Sequence, residues 1–306
     1  MNILMLGGTG FLGTGLARAL AAAGHEVVCV ARSHAPAVMP LGSRFVQATI
    51  DDRGALAPLV QVADYVFHLA WDTTPGTSLR QPSLEADNNF LPTLHLIDLL
   101  QEHPHSRLVF LSTGGAMYSG SANSVDESAA LAPRSYYGAT KAAVEMILGA
   151  YHAQTGNTTL ILRPSNIYGP GQLPKRDFGI IPTIMSCLKH GVALDIWGDG
   201  EAARDFLYIG DFECFVLLLT AREWPRGSCE RFNLGSGAAV SINALCAMLE
   251  RVSGRTLLRR YHPARSIDYR STALDSTRAR AALGWSPATP IGTGLQQAWE
   301  WFLAQP

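Results

Sequence analysis

Three short segments carry the residue types that could do chemistry. Residues 137–141 read Tyr-Gly-Ala-Thr-Lys, and on a helix Tyr137 and Lys141, four apart, share one face. A phenol with an ammonium one turn away can work as a general acid/base if its pKa falls from about 10 towards 7, a change of about 4 kcal/mol. The opposite charge of the lysine favours the phenolate in that direction. Upstream, an apolar run leads into Ser112-Thr113-Gly114-Gly115. It puts a hydroxyl, from Ser112 or Thr113, at the C-terminal end of a strand, where open α/β sheets place ligands. The third segment is Gly7-Gly8-Thr9-Gly10-Phe11-Leu12-Gly13. Its glycines permit a tight turn, close approach of a pyrophosphate and helix–strand packing, and the next helix offers N–H groups and a positive dipole. A strand before it and a helix after it make this a predicted dinucleotide site. An acid for the adenosine ribose normally ends the second strand. Here Ala31-Arg32-Ser33 stand there, and the planar guanidinium of Arg32 suits stacking on adenine or holding a 2′-phosphate. Tyr-x-x-x-Lys alone is a common accident; the order glycine loop, strand-end hydroxyl, Tyr-x-x-x-Lys is not.

The elements that must position these residues follow from hydrophobic period. Strands are expected at 2–6, 26–31, 44–48, 64–69, 107–112 and 159–163. Most are apolar almost throughout, as strands covered on both faces of a parallel sheet are. Helices are expected between them at 11–24, 53–60, 87–102 and 135–155. Strand–helix alternation of this kind implies an α/β fold, a Rossmann-type doubly wound parallel sheet. After about residue 170, Pro170, Pro174 and Pro182 punctuate the chain, and short helices follow at 180–189, 211–220, 243–252, 276–283 and 292–302. The reading is a dinucleotide-binding domain over 1–170 and a smaller, mainly substrate-binding α/β part over 171–306, without a clean linker and with interleaved segments.

Composition bounds the function. Of 306 residues, 47% are hydrophobic and 16% charged, with 24 Lys plus Arg against 25 Asp plus Glu. A net charge of −1 leaves no footprint for nucleic acid or an anionic membrane. The five cysteines (Cys29, Cys187, Cys214, Cys229, Cys246) are widely spaced with no C-x-x-C, which argues against disulfides and zinc and for a reducing compartment, the cytoplasm. The chain enters a strand at Asn2 without a basic stretch or cleavage site, so no secretory signal is expected. His103-Pro104-His105 reads as a turn rather than a metal site, His68 as a core histidine, and Trp285, Trp299 and Trp301 as anchors.

Taken in order, Gly7–Gly13, His68-Leu69-Ala70, Asp87-Asn88-Asn89, Ser112–Tyr118, Tyr137–Lys141, Arg163–Pro170, Ile196–Asp211, Arg265-Ser266-Ile267-Asp268 and Leu283-Gly284-Trp285 resemble the extended short-chain dehydrogenase/reductase family. The likeness is to its nucleotide-sugar epimerases and dehydratases, of UDP-glucose 4-epimerase type, and runs over almost the whole chain. The resemblance implies that Thr113 is the catalytic hydroxyl, with Ser112 the competing one, that Tyr137 is the acid/base, and that Lys141 is its partner and a ribose contact. For the dinucleotide it implies Gly7, Gly10, Phe11, Leu12 and Gly13 at the pyrophosphate and Thr49 and Ile50 around adenine. Leu69, Ala70 and Trp71 fall on the nicotinamide side, Ser112 and Asn89 nearby, and Pro164 and Asn166 in the loop beneath it. Asn166, Arg204 and Arg265 correspond to contacts of the sugar diphosphate and Asp268 to the acid on the uridine ribose.

The activity implied is an NAD-dependent epimerisation at C4 of a UDP-linked sugar, with NADP tolerated because Ala31-Arg32 replaces the usual acid. A 4-keto-6-deoxysugar reductase uses the same triad with a cofactor that leaves each cycle, and a dinucleotide-sensing module would need the glycine loop alone. Dehydration is not expected, since Gly114-Gly115 stand where dehydratases of this family carry an acidic pair. A homodimer is expected through the helices at 87–102 and 135–155, by way of Leu91, Leu94, Ile97, Leu100, Ala143, Met146, Ile147 and Ala150.

Overall fold

The computed structural model describes residues 1–33, 39–118, 124–175, 179–264 and 273–305. The chain divides into two compact units, one of Met1–Thr113, Tyr136–Arg163 and Phe215–Phe232, the other of Gly114–Ser135, Pro164–Cys214 and Asn233–Pro306.

The first unit is built on β1 (Asn2–Leu6), β2 (Glu26–Ala31), β3 (Ser43–Gln47), β4 (Tyr65–His68) and β5 (Arg107–Leu111). With the strands Thr159–Pro164 and Cys229–Leu234 they form a seven-stranded sheet, in the order β3-β2-β1-β4-β5, Thr159–Pro164, Cys229–Leu234. Pairing from β3 through to Thr159–Pro164 is parallel. The order reverses at β1, which leaves a crevice at its C-terminal end, the place where open α/β sheets bind ligands. Helices α1 (Phe11–Ala22), α2 (Arg53–Val60), α3 (Pro75–Ser78), α4 (Ser83–Glu85), α5 (Leu91–Gln101) and α6 (Tyr136–Thr155) connect the strands. Leu4, Leu6, Val66, Phe110 and Ile161 of the sheet pack with Leu56, Leu96, Leu100, Val144 and Leu148 of the helices in one core.

The six expected strands and the long helices lie within a few residues of their expected places, but the seventh strand of the sheet, Cys229–Leu234, was not expected. The expected helix at 87–102 differs: it opens as a π turn, Ala86–Phe90, before α5. Leu91 N–H donates to Ala86 O, five residues back. Pro92 has no N–H to give to the i−4 carbonyl, and the wider turn carries the helix past it. The expected dimer face also narrows. Ile97 and Leu100 are buried in the core of their own unit, whereas Leu91 and Met146 are exposed, Met146 by 75%.

The second unit has its own core, in which Tyr168, Ile184, Leu194, Phe206, Leu245, Leu295, Trp299 and Phe302 pack together. Its small sheet joins Asn166–Tyr168, Ala203–Tyr208 and Ala239–Ser241. These strands of three to six residues are too short and too polar to register as periodic. Trp285 is buried and donates through Nε1 to Asp211 O at 2.9 Å, while Ala288 N, Thr289 N and Thr289 Oγ1 donate to the Asp211 carboxylate. That ties the C-terminal segment down. Among the described residues no helix is long and apolar enough to cross a membrane.

Candidate active site

The glycine loop leaves β1 with Gly7 at φ +87°, a left-handed conformation that side chains disfavour. A Cβ on Gly7 would lie 2.7 Å from Ala70 N, one on Gly8 2.6 Å from Cys29 Cβ, and one on Gly13 2.3 Å from Gly7 O. These three glycines let β1, β2, β4 and α1 close on one another. Gly10 differs, because a Cβ there would meet only Gly7 O, at 3.5 Å. Gly10 is the N-cap of α1 and no side chain caps the helix, so the first-turn amides, those of Phe11 and Leu12 among them, receive no side-chain cap. Uncapped amides at a helix N-terminus attract a phosphate, and the loop fits a dinucleotide pyrophosphate.

Gly7 packs on Ala70, and the next residue, Trp71, reaches the polar cluster. The Trp71 and Tyr137 rings meet edge to face with centroids 6.2 Å apart. The Thr113 side chain lies near enough to the Tyr137 phenol to hold its pKa down, and Tyr137 N–H donates to Ser78 Oγ at 3.3 Å, which caps the start of α6. Lys141, one turn on, is buried and donates to Leu111 O at 2.6 Å. Its ammonium lies 3.6 Å from the Trp71 ring centroid, 4.7 Å from Phe110 and 6.0 Å from Tyr137. Burial lowers the Lys141 pKa well below its ordinary value, opposed by the charges of Glu85 and Glu145; the aromatic faces also favour the ammonium. Burial raises Tyr137, Glu85 raises it further, and the Thr113 hydrogen bond lowers it.

Ser112 is turned away from this cluster. Its hydroxyl donates to Glu145 Oε1 at 2.5 Å, whereas the Thr113 side chain acts on the Tyr137 phenol. Glu145 also accepts from Arg163 Nε at 3.0 and 3.1 Å and from Arg163 Nη2 at 2.6 Å. The side chains are 3% and 4% exposed, a bidentate pair inside the protein. A second buried carboxylate, Glu85, accepts from Thr73 Oγ1 at 2.6 Å and Asn89 Nδ2 at 3.1 Å. Neither acid was singled out in the sequence, although Glu145 lies four residues after Lys141, and Glu85 four before Asn89, on one helix face in each case.

The other dinucleotide candidates divide. Leu69, Ala70 and Trp71 are half-buried beyond β4, with Trp71 on the Lys141 ammonium. Thr49 is exposed and Ile50 half-buried beyond β3. Asn89 is buried and engaged within the protein: Oδ1 accepts from Asp72 N at 2.8 Å and Nδ2 donates to Thr73 Oγ1 at 2.9 Å as well as to Glu85. It organises the loop rather than presenting a free amide. Arg32, read as a phosphate or adenine contact, is paired with Asp72. His68 is a core histidine with one satisfied nitrogen. Thr93 Oγ1 donates to Asn89 O at 2.6 Å, so it accepts from His68 Nε2 at 2.9 Å and leaves Nδ1 as the acceptor. Nδ1 and the nearby Trp71 Nε1 are buried without partners. Burial and the Lys141 charge hold His68 down at about 3, so it is neutral.

In the second unit, Gly114 N–H donates to Pro164 O at 2.7 Å. Asn166 is exposed and donates through Nδ2 to Asp205 O at 3.0 Å, with room left at Gly115, where a Cβ would lie 3.6 Å from that Nδ2. Arg204 donates through Nη1 to Ala203 O at 2.8 Å. Its neighbour Asp205 is buried and accepts from Ser236 N, Ser236 Oγ, Gly237 N and Leu274 N. Arg265 and Asp268 lie outside the described residues.

Comparison with known proteins follows this geometry. The sequence profile of the NAD dependent epimerase/dehydratase family matches residues 3–235. A UDP-glucose 4-epimerase of Mycolicibacterium smegmatis is 30% identical over 312 residues, covering 99% of this chain and 98% of that protein. The crystal structure of UDP-glucose 4-epimerase from Thermotoga maritima with UDP-glucose superposes with a TM-score of 0.91 at 31% identity, over 99% of each chain. That of UDP-glucose 4-epimerase from Stenotrophomonas maltophila, with NAD and formylated UDP-arabinopyranose, gives 0.92 at 26% identity, over 99% of this chain and 98% of that one. A parallel sheet reversing at a glycine-loop strand, and a profile match over most of the chain, place this protein in the NAD dependent epimerase/dehydratase family.

Proposed function

We propose that the protein is a nucleotide-sugar 4-epimerase that inverts C4 of a UDP-linked hexose with NAD at the glycine loop. The observation that carries this reading is the grouping of Thr113, Tyr137 and Lys141, joined to the loop through Ala70 and Trp71. When bound, NAD supplies a reversible acceptor for the C4 hydride. Tyr137 as phenolate takes the proton of the C4 hydroxyl as that carbon is oxidised, and returns it when the 4-keto sugar is reduced on the other face. Thr113, beside the same oxygen, favours the phenolate, and the Lys141 ammonium favours it through opposite charge. Gly114 and Gly115 have no side chain to protonate a leaving hydroxyl, which speaks against dehydration. We assign the sugar diphosphate to Asn166, Arg204 and Arg265, and the uridine ribose to Asp268, on resemblance and on the fit of guanidinium forks to phosphate.

The test is to incubate purified protein with UDP-glucose, UDP-galactose and their N-acetyl forms, with and without added dinucleotide, and separate the products. Interconversion by protein that retains NAD supports the reading. Release of dinucleotide each cycle, with reduction of a 4-keto-6-deoxy nucleotide sugar, would replace it with the reductase. A homodimer through α5 and α6 belongs to the same reading. Exposed Leu91 and Met146 offer an apolar patch that an isologous contact would cover, and a monomer by sedimentation at micromolar concentration would contradict it.

A further inference from the structure

Strand β2 ends at Ala31 and is followed by Arg32-Ser33, and a cation without an acid at that place favours a 2′-phosphate on the adenosine ribose. The structure gives that cation a partner. Arg32 Nη2 donates to Asp72 Oδ1. Arg32 follows β2 and Asp72 follows β4, and both strands pair with β1, so the ion pair spans the end from which the glycine loop leaves. Asp72 is the fixed member. Its Oδ2 accepts from Asn88 Nδ2 at 2.7 Å and its N–H donates to Asn89 Oδ1 at 2.8 Å, both asparagines lying in the π turn Ala86–Phe90. Arg32, whose side chain is 66% exposed against 29% for Asp72, is the member that can leave.

We propose that Asp72 sets the dinucleotide selectivity of this protein: by holding Arg32 it withholds the guanidinium from a 2′-phosphate, and its own carboxylate repels that phosphate. The chain then prefers NAD to NADP although β2 carries no acid. The repulsive element comes from the end of β4 instead, fixed there by the asparagines of the π turn. NAD presents a neutral hydroxyl where NADP presents a doubly charged phosphate, so only NADP must displace Asp72 from Arg32. The inference rests on the reading that NAD binds the glycine loop.

The test is competition. Wild type, Asp72→Asn and Asp72→Asn with Arg32→Ala are each equilibrated with equal NAD and NADP and desalted, and the retained dinucleotides are quantified. Asp72→Asn removes the charge and keeps an amide for Asn88. Wild type should retain mostly NAD. In Asp72→Asn the NADP:NAD ratio should rise about 10-fold, the scale of a charged hydrogen bond; most of the rise should be lost with Arg32→Ala, which leaves only the relief of the Asp72 repulsion, and the rise should shrink at about 0.5 M salt. A ratio that moves less than about threefold in Asp72→Asn, or a rise that Arg32→Ala leaves undiminished, overturns the proposal, because a freed guanidinium is worth more than that to a phosphate. Folded wild type, by thermal unfolding, that retains neither dinucleotide overturns the NAD reading itself and this inference with it.

Discussion

Two buried carboxylates flank Lys141, and they are held in opposite ways. Glu145 is neutralised by Arg163 in a bidentate pair and takes a third bond from Ser112. Glu85 is held by neutral donors, Thr73 Oγ1 and Asn89 Nδ2. A guanidinium facing a carboxylate offsets part of its charge, yet the Glu145 charge still favours the Lys141 ammonium. A carboxylate held by a hydroxyl and an amide keeps its charge, and that charge reaches Tyr137 and Lys141. Both carboxylates favour the Lys141 ammonium, Glu85 more than Glu145; Glu145 also fastens α6 to the strand Thr159–Pro164, and Glu85 also raises Tyr137. Burial therefore does not by itself mark a residue as structural: the sign and distance of the nearest compensating charge decide it.

The contrast can be broken from the stability side first. Glu145→Gln takes away the carboxylate charge that the buried Arg163 guanidinium faces, which should cost about 3–5 kcal/mol, read as a lower midpoint in denaturant unfolding. Replacing both members, with Glu145→Met and Arg163→Met, should recover most of that loss, since a buried pair is often matched by apolar groups of its size. A single substitution that costs under about 1 kcal/mol would show that the pair carries no such penalty.

His68 extends the contrast to a buried base. Its pKa is depressed from 6.5 to about 3 in the folded protein, so below 6.5 the unfolded chain binds a proton that the folded one refuses. Its contribution is present above pH 6.5 and is lost as pH falls towards about 3, amounting to about 2 kcal/mol at pH 5. His68→Gln should flatten stability between about pH 7 and 5 relative to wild type; an equal or steeper fall would mean that His68 is not held neutral.

The smallest effect belongs to Glu85. Glu85→Gln keeps the shape and removes a charge that raises Tyr137, so the rise of activity with pH should move downwards, on the order of one pH unit. Measuring kcat against pH reads this directly. A profile that stays in place, or moves upwards, would show that the Glu85 charge does not reach the phenol.

Much of this was legible in the sequence, for physical reasons. Apolar runs such as Tyr65–His68 and Arg107–Leu111 mark strands covered on both faces. The glycine loop and the Tyr137–Lys141 spacing are local, so their geometry follows from strand, turn and helix alone. What stayed hidden depends on contacts far along the chain. Thr73 and Glu85 are 12 residues apart, Ser112 and Glu145 are 33 apart, and no local period reports such pairs. The Glu145 partner of Ser112 was not visible in the sequence, nor was the pairing of Arg32 with Asp72, 40 residues away. The π turn escaped because the segment 87–102 was read as one regular helix, whereas Pro92, without an N–H, lies just after a wider turn that carries Asn88 and Asn89.

The central claim is that the phenol of Tyr137 moves the proton of a sugar hydroxyl. The direct measurement is C4 interconversion of UDP-glucose and UDP-galactose by Tyr137→Phe beside wild type, with retained dinucleotide and thermal unfolding measured on both. The account predicts a loss of about 10²–10⁴-fold in kcat, with dinucleotide retention and unfolding temperature close to wild type, because only one ionisable oxygen is removed. Activity within a few-fold of wild type would contradict it.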